Sequence, residues 1–334
     1  MELRERGAKE APLLLIADAD DPEASGLVDS LRGGLSSATW LPLAVEDGDF
    51  AVSIAANHFE VRSGDVKLSD TDFAEAHRVL VRRWRQYWTA PVLGTFPASD
   101  VQHVAFAERE WEAALAGLLF RAHLDRGTVE WSSAPRLLSL AFNRLALLIL
   151  AERSGFEVPE WQVTSRALDV DPDRQFVVKA INCDERVDRT HVLGANLISG
   201  ARICHSLEDS RSAPVFMQRY IKREVEWRII AIFGEILCFE QRALADTTDL
   251  RNVPRSDVKS SVVPVPDALI EPIEKFTAIT EMSLCAFDVV GGDGNYFLVD
   301  VTPNGGWAYM REMGVMGPVT QIARALNVDK SDTP

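Results

Sequence analysis

The sequence predicts an α/β fold of the mixed, α+β kind: an α/β lobe first, a mixed middle, and an antiparallel sheet last. Three observations carry this. Residues 12–16, PLLLI, form a short unbroken apolar run, followed by turn residues from Asp18 to Pro22 and a helical stretch over about 23–32. Two longer stretches, 100–124 and about 135–154, carry apolar residues at helical spacing. From residue 176 onward, strand-like runs separated by tight turns take over.

The elements follow in order. Residues 49–80 read as weaker strands and turns, and VLVRRW (79–84) as a further strand. The 100–124 helix places Phe106, Trp111, Leu115, Leu118 and Leu119 on one side. For the next helix Ser133 is the expected N-cap, Pro135 fits the first turn and Gly155 fits the stop. FVVKA (176–180), VFMQRYI (215–221), WRIIAIF (227–233) and ILCFEQRA (236–243) read as strands, the last two joined by a Gly234-Glu235 turn. LCAFDVV (284–290) and NYFLVDV (295–301) form a hairpin through Gly-Gly-Asp-Gly, and a helix over about 318–326 closes the chain. Three parts result: 1–130, 131–213 and 214–334.

At 334 residues the chain can bury a sizeable core in two or three lobes. Its net charge of −15 argues against a general nucleic-acid partner, which calls for a basic surface. The four cysteines, Cys183, Cys204, Cys238 and Cys285, include no CxxC pair and read as buried free thiols of a reducing compartment. The opening MELRERGAKEAP lacks the apolar centre of a signal peptide. The most apolar stretch, 137–151, is too short to span a bilayer and contains Asn143 and Arg144. The expectation is a cytoplasmic protein with neither membrane nor nucleic-acid partner.

Two features point to chemistry. In the last hairpin, folding about Asp293 sets Asp288 opposite Leu298 and one diagonal step from Asp300, with Asp288, Asp300 and Thr302 on one face. Diagonal Cβ atoms are roughly 7–8 Å apart, a span that lets two carboxylates hold a cation between them. The same pair also reads as two polar residues on a solvated face. Second, basic residues interrupt apolar runs: Lys179, Arg228 and Arg144, each alone equally readable as a gatekeeper or snorkelling side chain. Residues 174–228 hold ten Lys/Arg against seven Asp/Glu, a net of +3, so the rest of the chain carries −18. A basic middle beside paired carboxylates suits phosphoryl transfer, in which cations and Mg²⁺ neutralise a triphosphate. There is no GxxxxGK[ST] and no GxGxxG run.

The order of these pieces resembles the ATP-grasp ligases, and among them the microviridin-type, or graspetide, maturases of ribosomally made peptides. The resemblance covers nearly the whole chain and is weakest over 30–75. VRRWRQYW (81–88) is similar to the Arg/Trp-rich strand end of that family, AEREWEAALAGLL (107–119) to its Glu/Leu helix, and FNRLALLILAERSGFEVPEWQVTS (142–165) to its helix and following strand. Lys179 matches the strand lysine, Gln218-Arg219-Tyr220-Ile221 the adenine-receiving hinge, Glu226-Trp227-Arg228 the Glu-x-Arg strand, and Asp249-Leu250-Arg251 the Asp-x-Arg motif. Asp288 and Asp300-Val301-Thr302-Pro303-Asn304-Gly305 match the metal-binding Asp and the Glu-x-Asn-Pro-Asn-Gly strand. Three positions depart: Arg144 stands for a lysine, Asp300 for a glutamate and Thr302 for an asparagine.

The resemblance implies an ATP-grasp fold with nucleotide between the central and C-terminal lobes, ATP and Mg²⁺ as cofactors, and ADP-forming ligation. It gives Arg144, Lys179, Gln218, Arg219, Tyr220, Ile221, Glu226 and Asn304 to the nucleotide, and Asp288, Asp300 and Thr302 to the metal. Arg228 and Arg251 become catalytic, with Arg228 near the γ-phosphate. Arg82, Arg83, Arg85 and Asp249 orient an acidic core peptide. The implied partner is a precursor peptide with a leader, docked around 184–213, and the implied assembly a homodimer. Two alternatives stay open: ligation of free amino acids or small acids, and a degenerate, non-catalytic nucleotide- or peptide-binding protein.

Overall fold

The computed structural model describes residues 13–18, 21–32, 38–43, 50–54, 58–82, 101–124, 130–132, 143–181, 195–208, 214–243, 253–254, 257–292, 294–303, 305–307, 322 and 326. The chain divides into two compact units, one of residues 1–136 with 317–334, the other of 137–316.

The first unit contains strands β1 (Leu13–Asp18), β2 (Ala38–Leu43), β3 (Phe50–Ile54), β4 (Phe59–Ser63), β5 (Val66–Ser69), β6 (Arg78–Val81) and β7 (Glu130–Trp131). A parallel sheet runs in the order β2-β1-β6-β7, and β3, β4 and β5 form a separate antiparallel sheet. Leu13 to Ala17 are all buried, which explains the unbroken apolar run: a central parallel strand is covered on both faces. The Asp21 carboxylate caps the helix Pro22–Arg32, accepting from the backbone N–H of Glu23 at 2.9 Å. Leu115, Leu118, Leu119 and Ala122 bury the second half of the helix Val101–Leu124.

Arg82 corrects one expectation. Expected to face a peptide, it is instead fully buried, with Nε donating to Asp21 Oδ2 at 3.1 Å and the guanidinium paired also with Glu23. It ties the end of β6 to the start of the first helix. Arg83 and Arg85 lie outside the described residues.

The second unit contains β8 (Trp161–Thr164), β9 (Gln175–Lys179), β10 (Asn196–Ser199), β11 (Val215–Arg219), β12 (Val225–Ile232), β13 (Glu235–Ala243), β14 (Val258–Val263), β15 (Leu284–Gly292) and β16 (Asn295–Thr302). They make two antiparallel sheets, β10-β9-β11-β8 and β14-β13-β12-β15-β16. Ile203 and Leu207 of the helix Gly200–Leu207 pack with Val170 and Met217 of the smaller sheet's core.

Two boundaries differ from expectation. The described helix before β8 runs Arg144–Ser154, capped by Asn143, whose side chain accepts from the Ala146 N–H at 3.1 Å; Ser133 and Pro135 lie outside the described residues. It ends at Gly155, where a φ of 102° needs glycine, as expected. The β12–β13 turn is Phe233-Gly234, one residue earlier than read, because Ile232 pairs with Glu235. Both turn residues have positive φ, 47° and 91°, matching the strand twist that favours such turns. On the larger sheet, Phe287 meets Phe156 in a stack at 5.2 Å and Phe276 edge-on at 5.3 Å. Phe276 belongs to the helix Asp267–Thr280, which the sequence reading did not include. Phe276 from the helix and Phe156 from the segment after Gly155 therefore cover the Phe287 face, and alternation turns Asp288 to the other.

Candidate active site

The last hairpin sets the geometry. From Gly292↔Asn295 to Val289↔Leu298 its pairing is one residue off the expected register. Continued unbroken, this would set Asp288 against Val299 and put the two carboxylates on opposite faces. Instead the ladder shifts between Asp288 and Val289, Val299 becomes the extra residue of a bulge, and Asp288 pairs directly with Asp300. The carboxylates are thus opposite rather than diagonal, with Cβ atoms about 4.5–5.5 Å apart. Thr302, opposite Ala286, shares their face.

Three cations converge on this pair. Arg144, the first residue of its helix and 3% exposed, sets Nε and Nη2 each 3.3 Å from the two oxygens of Asp300. Its Nη1 also donates to the Ala180 carbonyl. Lys179, at the end of β9, donates to the Val299 carbonyl at 2.6 Å and lies 3.6 Å from Asp300 Oδ2. The bulged residue therefore offers its carbonyl to the lysine. Arg228 on β12 is the register partner of Asp288, and its Nη1 donates to Asp288 Oδ1 at 2.6 Å. Burial opposes ionisation of Asp300, but Lys179 and Arg144 outweigh it, helped by the Val301 N–H at 3.0 Å. The carboxyl is held well below the usual range. Among the described residues, Arg144, Lys179 and Arg228 thus face the two carboxylates together.

The hinge strand contributes a different signal. Gln218 is 2% exposed, and its buried Nε2 has no hydrogen-bond partner among the described residues. A buried orphan donor is costly and marks a place where a ligand acceptor would fit. Arg219 is exposed, and its backbone N–H donates to the Glu160 carbonyl at 2.7 Å. Tyr220 and Ile221 follow the strand, half-buried. Glu226, two residues before Arg228 and on its face, pairs with Arg223.

The structure thus brings together Arg144, Lys179, Arg228, Asp288 and Asp300, from one helix and four strands. Asp249, Arg251 and Asn304 lie outside the described residues, as does most of 184–213. Among the described residues no set of three His, Cys, Asp or Glu side chains could hold a metal. A cation here would take two carboxylates and find its other oxygens elsewhere, the usual pattern for Mg²⁺ with phosphates. The residues present therefore fit a magnesium–polyphosphate group. Sequence reading missed the backbone ligands: the Gly305 and Gly306 carbonyls both accept from Arg228, Gly306 from Nη2 at 2.9 Å and from Nε at 3.2 Å. The paired glycines after Pro303 were the available signal.

Of the thiols, Cys238 and Cys285 are buried and Cys204 partly so, all free. Burial pushes the Cys238 thiol up to about 12, which keeps it unreactive. Among the described residues no helix is long and apolar enough to cross a membrane.

No family model and no curated protein matches the sequence. Solved structures do resemble the fold. The macrocyclase MdnC from Microcystis aeruginosa MRC, bound with precursor peptide MdnA, superposes with a TM-score of 0.74 at 14% identity, covering 94% of this chain and 98% of that one. A RiPP-associated ATP-grasp ligase from Chryseobacterium gregarium, in complex with ADP and a leader and core peptide, gives 0.69 at 13% identity over 94% and 95%. The ATP-grasp ligase PsnB, complexed with minimal precursor, Mg and ADP, gives 0.68 at 14% identity over 94% and 96%. The chain has the ATP-grasp ligase fold, along nearly its whole length.

Proposed function

We propose that this chain is an ADP-forming ATP-grasp ligase that activates Asp or Glu side chains of a ribosomal precursor peptide and closes them into intramolecular esters or amides. The observation that carries it is the Asp288–Asp300 pair facing itself across the hairpin, with Arg144, Lys179 and Arg228 around it. A triphosphate needs both kinds of group at once: cations for its oxygens and carboxylates for its metal. Asp288 and Asp300, with Thr302 on the same face, would hold Mg²⁺, which when bound draws charge from the phosphate oxygens.

In this reading the remaining residues bind and orient. Lys179 and Arg144 turn to the α- and β-phosphates, Arg228 to the γ-phosphate, and Gln218 gives its orphan N–H to the base. Asn304 and the hinge residues Arg219 to Ile221 complete the nucleotide site, with Glu226 beside it. A substrate carboxylate oxygen attacks the γ-phosphorus and the bond to ADP breaks. A hydroxyl or amine then attacks the acyl carbon, phosphate leaves, and the nucleophile's proton departs with it. Arg251 and Asp249 would meet the acidic core peptide, together with Arg83 and Arg85. The leader would dock around 184–213, in a cytoplasmic homodimer.

The likeness to peptide-bound ligases supports a peptide over a free small acid: D-cycloserine synthetase DcsG superposes at 0.53, against 0.74 for MdnC. The test is incubation with ATP, Mg²⁺ and a candidate precursor peptide encoded beside this gene. Loss of one water per ring, with ADP release, is expected. ADP release with free acids but an unchanged peptide mass would replace the peptide reading, and no nucleotide-dependent chemistry with any acid would leave a binding protein.

A further inference from the structure

The turn after β16 does something the nucleotide-site reading does not use. The Gly305 N–H donates back to the Thr302 carbonyl at 3.2 Å, folding the chain sharply at the strand end. That fold swings the Gly305 and Gly306 carbonyls onto Arg228, which stands two strands away on β12 and is 5% exposed. The guanidinium therefore meets Asp288 through Nη1 and the two backbone carbonyls through Nε and Nη2. The carbonyls fix its plane, because a planar fork binds in few orientations.

The approach is so close that an added side chain must push the guanidinium aside. A Cβ built on Gly306 would lie 2.6 Å from Arg228 Nη2 and 3.9 Å from Thr302 Cγ2. Gly306 also has a φ of 98°, a conformation other residues adopt only under strain. We infer that Gly306 is a positioning residue for Arg228: its bare backbone and its carbonyl aim the guanidinium at Asp288 and at whatever anion lies beyond it. This rests on the nucleotide-site reading only for the identity of that anion. It makes Gly306 specific for the outermost phosphate, because Arg228 is the cation given to the γ-phosphate.

The test separates strain from seating. Gly306→Ala combines both effects, whereas Gly294→Ala shares the positive φ, 84°, but its added Cβ meets nothing within 4 Å among the described residues. The probes are a non-hydrolysable ATP analogue and ADP, each with Mg²⁺, in titration calorimetry of the full chain. Gly306→Ala should weaken the analogue about tenfold, the scale of one lost charge-assisted hydrogen bond, and leave ADP within about twofold. Gly294→Ala should leave both affinities unchanged. In an Arg228→Lys background Gly306→Ala should add little in affinity, and in denaturant stability only a strain cost like that of Gly294→Ala, because the seating of Arg228 is already lost. Equal losses for both nucleotides, or the full effect persisting without Arg228, would overturn the inference. Wild-type chain that binds neither nucleotide would instead overturn the nucleotide-site reading. The stability cycle still decides the seating of Arg228 in that case, with additive losses counting against it.

Discussion

Asp300 stands directly opposite Asp288 because Val299 is extruded between them and the turn, and its two oxygens are then spanned by the Arg144 fork at 3.3 Å each. A carboxylate placed so is at once a candidate metal ligand and the counter-ion of two buried cations. Asp300→Asn should therefore do two things. It should abolish nucleotide-dependent turnover, and it should lower stability by about 3 kcal/mol, since Arg144 and Lys179 lose their partner. Denaturant titration and ADP release on the same samples check this, and full activity in the variant would sink the metal assignment.

The same pairing has a pH signature. The Asp300 carboxyl is held below its ordinary value, so its ionised form favours the folded state. That contribution is complete above the unfolded value near about pH 4 and fades as pH falls toward the lower folded value. Stability curves of wild type and Asp300→Asn should converge as pH drops below about 4. A gap that stays constant down the acid limb would show that Asp300 is not the titrating group.

Arg82 gives a prediction of the opposite kind. Its guanidinium is buried between Asp21 and Glu23. Arg82→Met should cost about 3–5 kcal/mol by stranding buried carboxylates. Turnover per folded molecule should be unchanged, measured as kcat with the fraction folded read by circular dichroism. A large kcat loss at full folding would return Arg82 to the substrate.

Much of this was legible in the residues. The parallel-strand run LLLI, the Gly155 stop and the strands around Lys179, Arg228 and Asp288 follow from period and punctuation alone. What escaped was set by tertiary context. The Val299 bulge leaves no mark in an alternating run, and one extra residue decides whether two carboxylates share a face. Arg82 sits among arginines that look alike in sequence, and only the fold shows that Asp21 and Glu23 claim it. The Gly305 and Gly306 carbonyls are backbone groups, which no residue type announces.

The departures at Arg144 and Asp300 read as one paired change in the structure. A longer cation meets a shorter carboxylate, and the fork reaches both oxygens. Arg144→Lys alone should lose a donor and weaken binding of ADP with Mg²⁺. Asp300→Glu alone should crowd the Arg144 fork. The double variant should recover most of the affinity lost by either, because each change suits the other. Additive losses in calorimetry would show that the two positions vary independently.

Gln218 offers a prediction with two opposite signs. Among the described residues its buried Nε2 has no partner, which makes it a burden without a ligand and an asset with one. Gln218→Leu removes the orphan donor at similar volume. The free chain should be as stable as wild type or more so, by about 1 kcal/mol, because an unsatisfied group is gone. Binding of adenine nucleotide should weaken by about tenfold, since the base loses a desolvated hydrogen bond. Thermal unfolding of the free chain and calorimetry with ADP and Mg²⁺ read the two effects separately. A variant that is both less stable and equally tight for ADP would mean that Gln218 serves the core and not the base.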